Sequence, residues 1–170
     1  MMQLALDAEA LYQQLCGQVA ALVQRSGIDA VGLVGIWSGG VWLAERLQKD
    51  LGLPGSAGSL SITLHRDDYA ERGLGSTQGA TRLPFEVDGR HIILVDDVLY
   101  TGRTIRASLN ELFDFGRPAR VSLAVLVDRG GRELPVEAQC CAARLSLPAS
   151  QRLSLARSEQ GRLAFAVEGV

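Results

Sequence analysis

Two adjacent carboxylates, Asp96 and Asp97, stand at the end of the most hydrophobic segment of this 170-residue chain, within HIILVDDVLYTGRTIRASL at residues 91–109. Like charges side by side repel each other, so the pair requires an explanation. Residues 100–104 then place a glycine and two threonine hydroxyls at the start of a predicted helix. The free backbone N–H groups and the dipole at a helix start favour a bound phosphate. Carboxylates cannot bind phosphate, but they can accept hydrogen bonds from two sugar hydroxyls.

These residues together predict a cradle for a ribose 5-phosphate group. Asp96 and Asp97 would accept hydrogen bonds from the 2′ and 3′ hydroxyls, while backbone amides, Thr101 and Thr104 would hold the 5-phosphate. The two acids could also bind a divalent cation through water. In general an Asp-Asp pair is most often a solvated turn that caps the next helix. The phosphate-binding pattern directly after this pair favours the cradle.

Other phosphate-binding motifs do not match the chain. The sequence contains no G-x-x-x-x-G-K-[ST] pattern, which excludes a P-loop nucleotidase. The glycines of GLVGIWSGG, residues 32–40, follow a predicted strand but do not fit G-x-G-x-x-G, so a dinucleotide site is disfavoured. His65 and His91 have no metal-ligand partners near them in sequence, and we assign them no catalytic work.

Strand and helix patterns alternate around the cradle. A helix capped by Asp7 and ending at Gly27 carries one apolar stripe, formed by Leu11, Leu15, Val19, Leu22 and Val23. The later elements are strands at 30–36, 59–64, 91–97 and 120–128, and helices at 41–51 and 104–115. This alternation predicts an α/β fold with a mainly parallel sheet, whose ligand site lies beyond the carboxyl ends of the strands.

A long segment without clear periodicity, residues 66–89, separates two of these strands. Loops longer than about 12–15 residues inside compact domains are usually active-site lids or disordered segments, and we interpret this one as a lid. After Asp128, turns and short strands complete what we predict to be one domain over residues 1–170. Their pairing does not follow from the pattern.

Composition narrows the classes of protein. The formal net charge of -2 provides no general attraction for nucleic acid, so any RNA contact requires a local basic patch. No apolar run approaches the roughly 20 residues that span a bilayer, and the N-terminus lacks a signal-peptide pattern, which predicts a cytoplasmic protein without membrane contact. The three cysteines show no metal-binding spacing and are interpreted as reduced structural residues.

The segment IILVDDVLYTGRT, residues 92–104, resembles the signature of type I phosphoribosyltransferases. The longer stretch from VDDVLYTGRTIRASL to GRPARVSLAVLVDRGGRELP resembles more narrowly the PyrR proteins, over about residues 30–137. The resemblance implies the type I phosphoribosyltransferase fold, which has a mainly parallel central sheet flanked by helices, a small hood and a long flexible loop. A transferase for adenine, guanine or orotate is disfavoured by the match at VLVDRGGRELP, residues 125–135.

The resemblance also implies an activity. PyrR proteins combine pyrimidine-operon regulation with uracil phosphoribosyltransferase activity, in which uracil displaces pyrophosphate from phosphoribosyl pyrophosphate (PRPP), bound with Mg²⁺, to give UMP. Arg66 and Asp67 would act at the lid hinge, and Asp128 and Arg129 would organise magnesium or the pyrimidine edge unless they form an ordinary strand-end ion pair. The implied nucleotide-binding residues are Asp96, Asp97, Val98, Leu99, Tyr100, Thr101, Gly102, Arg103 and Thr104, and the implied pyrophosphate loop is Ile36, Trp37, Ser38 and Gly39.

Two departures from the PyrR pattern change the expectation. Where these proteins usually have Lys-Thr-Arg-Gly in the pyrophosphate loop, residues 37–40 read Trp-Ser-Gly-Gly, without either cation. Losing one positioned transition-state donor commonly lowers the rate by about 10²- to 10³-fold, so a nucleotide-sensing regulator with weak or no catalysis is the alternative.

The second departure concerns RNA. PyrR proteins that attenuate transcription bind mRNA through a basic face, formed partly by the N-terminal helix. Val19, Gln24, Gly131, Glu137 and Ala143 replace residues that tend to be basic or histidine in that pattern, although Arg132 and Arg144 remain. RNA binding is therefore disfavoured. The resemblance further implies a homodimer or higher homo-oligomer, with PRPP, uracil and UMP or UTP as ligands.

Overall fold

A computed structural model describes residues 6–62 and 80–169 of the chain. Arg66, Asp67, His65 and the part of the predicted lid from 66 to 79 lie outside the described residues. The elements are α1 (Ala8–Ser26), β1 (Val31–Ile36), α2 (Gly39–Asp50), β2 (Gly58–Leu60), β3 (His91–Leu99), α3 (Arg103–Phe113), β4 (Arg120–Asp128), β5 (Cys140–Arg144), β6 (Gln151–Arg157) and β7 (Leu163–Gly169).

Five strands form a parallel sheet in the order β2-β1-β3-β4-β5. The prediction of an α/β fold built on a mainly parallel sheet flanked by helices is confirmed. The hydrophobic sequence of β3 follows from its position in the middle of a parallel sheet, where helices and their apolar clusters cover both faces of the strand. Its first six residues are all buried.

The sheet separates two hydrophobic clusters. Successive side chains of a strand point to opposite faces, so Ile93 and Val95 contribute to the cluster beneath α1 and α2. Ile92 and Leu94 contribute to the cluster beneath α3. The apolar side chains of the predicted strands and helices therefore pack together in these two clusters.

Helix α1 follows the predicted pattern closely. The Asp7 carboxylate accepts a hydrogen bond from the Ala10 N–H at 3.1 Å, and the helix ends at Gly27, which has a φ of 93°. Positive φ is readily adopted only by glycine, which accounts for this residue at the helix end. Of the apolar stripe, Leu15 and Val19 are fully buried. Tyr12 is also fully buried, and its hydroxyl donates to Asp50 Oδ2 at 2.7 Å.

The observed bounds differ from the predicted ones in ways that affect the site. Strand β3 does not end at the acids but continues to Leu99, because Val98 and Leu99 still pair with Val127 and Asp128 of β4. Helix α2 begins at Gly39, two residues earlier than predicted. Strand β2 is shorter than predicted and ends at Leu60.

The last two strands form a separate antiparallel hairpin, β6 and β7, in which Gln151 pairs with Gly169 and Arg157 with Leu163. We call this hairpin the hood. Leu153, Leu155 and Leu163 bury their side chains in the cluster beneath α1 and α2. The sequence predicted strands here but could not place their pairing.

Candidate functional site

Most of the predicted site residues lie together at one edge of the sheet. Strands β1, β3 and β4 run parallel, so their carboxyl ends meet at this edge. It carries the loop after β1, the acid pair Asp96 and Asp97 on β3, and Asp128 at the end of β4. Asp128 pairs in register with Leu99, directly before the loop at residues 100–104, which we call the phosphate loop.

The backbone fixes the carboxylates of the acid pair. Asp96 Oδ1 accepts a hydrogen bond from the Asp97 N–H, and Asp97 Oδ1 accepts one from the Val98 N–H, both at 2.9 Å. Asp96 is 7% exposed, whereas Asp97 is half-buried. These bonds restrict the side chains, and a carboxylate oxygen can accept more than one hydrogen bond.

The phosphate loop turns directly from β3 into α3. Gly102 has a φ of 94°, a conformation that favours glycine, and a Cβ there would make a tight contact of 3.2 Å with Val136 Cγ2. The Arg103 N–H donates to Thr101 Oγ1 at 3.2 Å. Among the residues that the structure describes, no acceptor is found for the N–H groups of Thr104 and Ile105. The first turn of α3 can therefore donate hydrogen bonds to an anion.

The pyrophosphate loop, residues 36–39, lies against the acid pair. A Cβ on Gly39 would come within 2.7 Å of Asp97 Oδ2, and one on Gly40 would collide with the Val95 carbonyl. The two glycines thus allow α2 to begin directly beside β3. The peptide bond between Trp37 and Ser38 is cis, and the Trp37 indole N–H donates to the Ala80 carbonyl at 3.4 Å.

Asp128 is paired with Arg132, not with the neighbouring Arg129. The Arg132 guanidinium contacts Asp128 Oδ2 at 2.5 Å, and the Gly130 N–H donates to Asp128 Oδ1 at 3.0 Å. Burial by itself would raise the pKa of Asp128, but the hydrogen bonds from Arg132 and Gly130, with the charges of Arg132 and Arg144, hold it below its usual value. Asp128 therefore carries a negative charge at neutral pH.

Arg129 binds the chain segment that leads into the hood. Its guanidinium stacks over the Tyr100 ring, 3.9 Å from the centroid, and donates to the carbonyls of Gln151 at 2.8 Å and Pro148 at 3.1 Å. Arg129 is 5% exposed, so these contacts fix the end of β4 to the segment that leads into β6. Its placement differs from the strand-end ion pair that the sequence allowed.

A cavity of about 490 Å³ opens beside the phosphate loop. It is lined by Asp128, Gly130, Gly131, Arg132, Arg144 and Leu145. The cavity lies at the end of β4, where the family resemblance implies that Asp128 would organise magnesium or the pyrimidine edge. The sequence pattern assigned Arg132 only to a basic face, and because residues 129–136 are not helical, its spacing of four residues from Asp128 did not predict the pair.

Comparison with known proteins adds independent information. The family model of the phosphoribosyl transferase domain matches residues 5–144. A protein of Ralstonia nicotianae called "Bifunctional protein PyrR" is 51% identical over 156 residues, which cover 92% of this chain and 89% of that protein. A protein of the same name from Pseudomonas putida is 46% identical, over 85% of this chain and 84% of its own length.

Solved structures show the same fold. A hypoxanthine phosphoribosyltransferase from Staphylococcus aureus matches with a TM-score of 0.62 at 17% identity, over 86% of this chain and 78% of that one. A hypoxanthine-guanine-xanthine phosphoribosyltransferase matches with a TM-score of 0.61 at 18% identity, over 86% and 80%. No helix within the described residues is long and apolar enough to cross a membrane.

Proposed function

This chain belongs to the PyrR family of phosphoribosyltransferases, and on that premise we propose that it binds PRPP and transfers the phosphoribosyl group to uracil, giving UMP and pyrophosphate. The observation that carries the proposal is the acid pair beside the phosphate loop at one edge of the sheet. In this proposal Asp96 and Asp97 accept hydrogen bonds from the ribose hydroxyls, and the N–H groups at the start of α3 hold the 5-phosphate. We expect the protein to act in the cytoplasm.

The proposed reaction separates charge and needs no covalent nucleophile from the protein. The N1 atom of uracil bonds to the anomeric carbon, the bond to pyrophosphate breaks, and the N1 proton is released. Positive charge develops on the sugar as pyrophosphate leaves, so fixed charges and dipoles around the sugar stabilise the transition state. Asp96 and Asp97 supply negative charge there, and the pyrophosphate loop supplies backbone N–H groups. Arg66 remains a proposed catalytic residue from the family pattern, with Asp67 at the same hinge.

The proposal includes Mg²⁺ bound with PRPP. Within the described residues, no group of three or more His, Cys, Asp or Glu side chains forms a metal site. The acid pair offers hard oxygen atoms, which fits a Mg²⁺ ion that takes most of its ligands from phosphate and water. Asp96 and Asp97 would hold it indirectly. When bound, Mg²⁺ neutralises charge on the pyrophosphate group.

The base is proposed to lie in the cavity at the end of β4, with Asp128 ionised in its wall. The preference for uracil rests on the resemblance at residues 125–135. The solved phosphoribosyltransferases named for hypoxanthine support the fold alone, because their identity to this chain is below 25%. Regulation of pyrimidine synthesis, with UMP or UTP as signals and a homo-oligomeric assembly, completes the proposal.

A second candidate function is nucleotide sensing with weak or absent catalysis. It is favoured by the pyrophosphate loop, because residues 36–40 contain no cationic side chain. Trp37, where PyrR proteins usually have lysine, directs its indole N–H to the Ala80 carbonyl. Backbone amides can still bind pyrophosphate there, but they do not supply a positive charge as it leaves.

Calorimetric titration followed by a turnover assay on the same sample tests both candidates. We expect PRPP with Mg²⁺ and UMP to bind. Turnover with uracil at ordinary enzyme rates would support the transferase and refute the second candidate, whereas binding with a rate lower by about 10²-fold or more would support nucleotide sensing. If neither PRPP nor UMP binds, both candidates are wrong.

A further inference from the structure

The segment directly after β4, residues 129–136, packs against the phosphate loop and is hydrogen-bonded to it. The N–H groups of Glu133 and Leu134 both donate to the Thr101 carbonyl, at 2.9 and 3.0 Å. Gly131 lies against the Tyr100 ring so closely that a Cβ would collide with it. The segment thus fixes the phosphate loop at two consecutive residues.

Arg132 connects three parts of this region through one side chain. Its Nη1 donates to the Tyr100 carbonyl at 2.6 Å, its Nε to the Val136 carbonyl at 2.8 Å, and its Nη2 to Asp128 Oδ2 at 2.5 Å. The side chain is 25% exposed. A guanidinium is a rigid planar fork, so three acceptors on different segments fix its position and are fixed by it.

These bonds decide where the loop's N–H groups point. In a trans peptide unit the C=O and the following N–H point in opposite directions. Because Arg132 holds the Tyr100 carbonyl on one side, the Thr101 N–H is directed to the other. In the same way the bonds to the Thr101 carbonyl direct the Gly102 N–H away from residues 133 and 134. Neither N–H has an acceptor within residues 6–62 and 80–169.

We propose that Arg132 is a positioning residue that orients the Thr101 N–H toward the 5-phosphate of a bound ribonucleotide, with Asp128 as its anchor. This inference rests on the proposed function. The phosphate loop is then shaped by a salt bridge at the end of the neighbouring strand. Lysine at position 132 would keep the charge but could not hold all three acceptors in one plane.

Two variants and a matched control test this role. Arg132→Lys and Arg132→Gln are compared with Arg46→Lys, which alters an arginine bonded within the fold at α2, where Arg46 contacts Glu9 at 2.8 Å and the Tyr12 ring at 3.9 Å. Calorimetry measures UMP binding, and ligand-observed NMR measures uridine, which lacks the phosphate. Thermal unfolding measures the stability of each variant.

Because Arg132 also lines the cavity proposed for the base, the test is the difference between the two ligands: we expect the Arg132 variants to lose about tenfold more affinity for UMP than for uridine. Arg46→Lys should lose stability without this selective loss. Equal weakening for uridine and UMP, unchanged UMP affinity, or the same loss in Arg46→Lys would overturn the inference. Failure of both Arg132 variants to fold would also contradict it, because the residue would then be required by the fold. Absence of UMP binding by the parent protein would instead reject the proposed function.

Discussion

At the scale of single residues, Asp96 and Asp97 are neighbours with different surroundings. Side chains of a strand alternate between its faces, so Asp97 lies on the side of α2, against Gly39. Asp96 lies on the side of α3, the helix into which the phosphate loop leads. In the proposed function, a sugar bound by both acids would have its phosphate end and its pyrophosphate end on different sides of β3. The proposal thereby accounts for the adjacent acids, because each would serve a different half of the ligand.

The acid pair provides the first prediction at this scale. In the double variant Asp96→Asn and Asp97→Asn, UMP binding should weaken at least about tenfold, because hydrogen bonds to charged groups contribute about 1.5–3 kcal/mol each. Asp114→Asn is the matched control, an exposed acid at the opposite end of α3. Calorimetry with UMP measures the difference. If the double variant binds UMP as well as the parent, the ribose-binding role is wrong.

At the scale of elements, β3 carries the acid pair of the candidate site near one end and a structural contact at the other. His91 begins the strand and is 6% exposed. Its two ring nitrogens lie 2.6 Å from Ser26 Oγ of α1 and 2.8 Å from Ser122 Oγ of β4. The imidazole therefore connects the strand to the end of α1 and to the neighbouring strand, at the end of β3 opposite the acid pair.

Burial lowers the pKa of His91, and the charge of Arg120 lowers it further. The unfolded chain, with a pKa near 6.5, binds a proton more readily than the folded one. The free energy of unfolding should therefore fall as the pH decreases below 6.5 toward the depressed pKa of the folded state. Urea unfolding between pH 7.5 and 5 measures this dependence.

His91→Gln is the comparison for this pH dependence. Its unfolding free energy should vary less over the same range, because Gln has no titrating group. Glu9 and Asp128 also have lowered pKa values, but their contributions are lost only below about pH 4.5. A parent protein whose stability is flat between pH 7.5 and 5, or a variant with an equal slope, would show that His91 does not titrate as described.

At the scale of the whole molecule, charge limits the partners. The chain has 17 Lys and Arg against 19 Asp and Glu. Of the two arginines that remain at the family's basic positions, Arg132 is bonded within the site, and only Arg144 is exposed. Val19, at another such position, is fully buried in the core. Of these family positions, Arg144 is therefore the one that offers an exposed cation to displace counterions from RNA.

This charge distribution predicts that the protein does not bind a pyrimidine-operon leader RNA tightly. A gel-shift titration at moderate salt should show no nanomolar complex, with or without UMP. An unrelated RNA of equal length is the control for nonspecific binding, which should weaken as salt increases. A nanomolar complex that is specific for the leader sequence would contradict the prediction and would favour direct RNA regulation.

Much of the fold and part of the site follow from local sequence. The Asp7 cap, the glycine that ends α1 and the apolar run of β3 each act over a few residues, so pattern and propensity are sufficient to predict them. The glycine and hydroxyls of the phosphate loop are equally local. Because alternating strands and helices form a parallel sheet, the carboxyl ends of its strands, which carry the candidate functional residues, lie at one edge. The resemblance at residues 92–104 and 125–135 added the family.

Contacts between distant residues were decided only by the tertiary structure. Arg132 and Tyr100 are 32 residues apart, and no periodicity relates them. The approach of Gly39 to Asp97 and the pairing of β6 with β7 depend on how whole elements pack. The guanidinium of an arginine such as Arg132 can donate hydrogen bonds to water, to RNA or to a backbone carbonyl. Which of these acceptors it contacts depends on the groups around it, and those groups are brought together only when the chain folds.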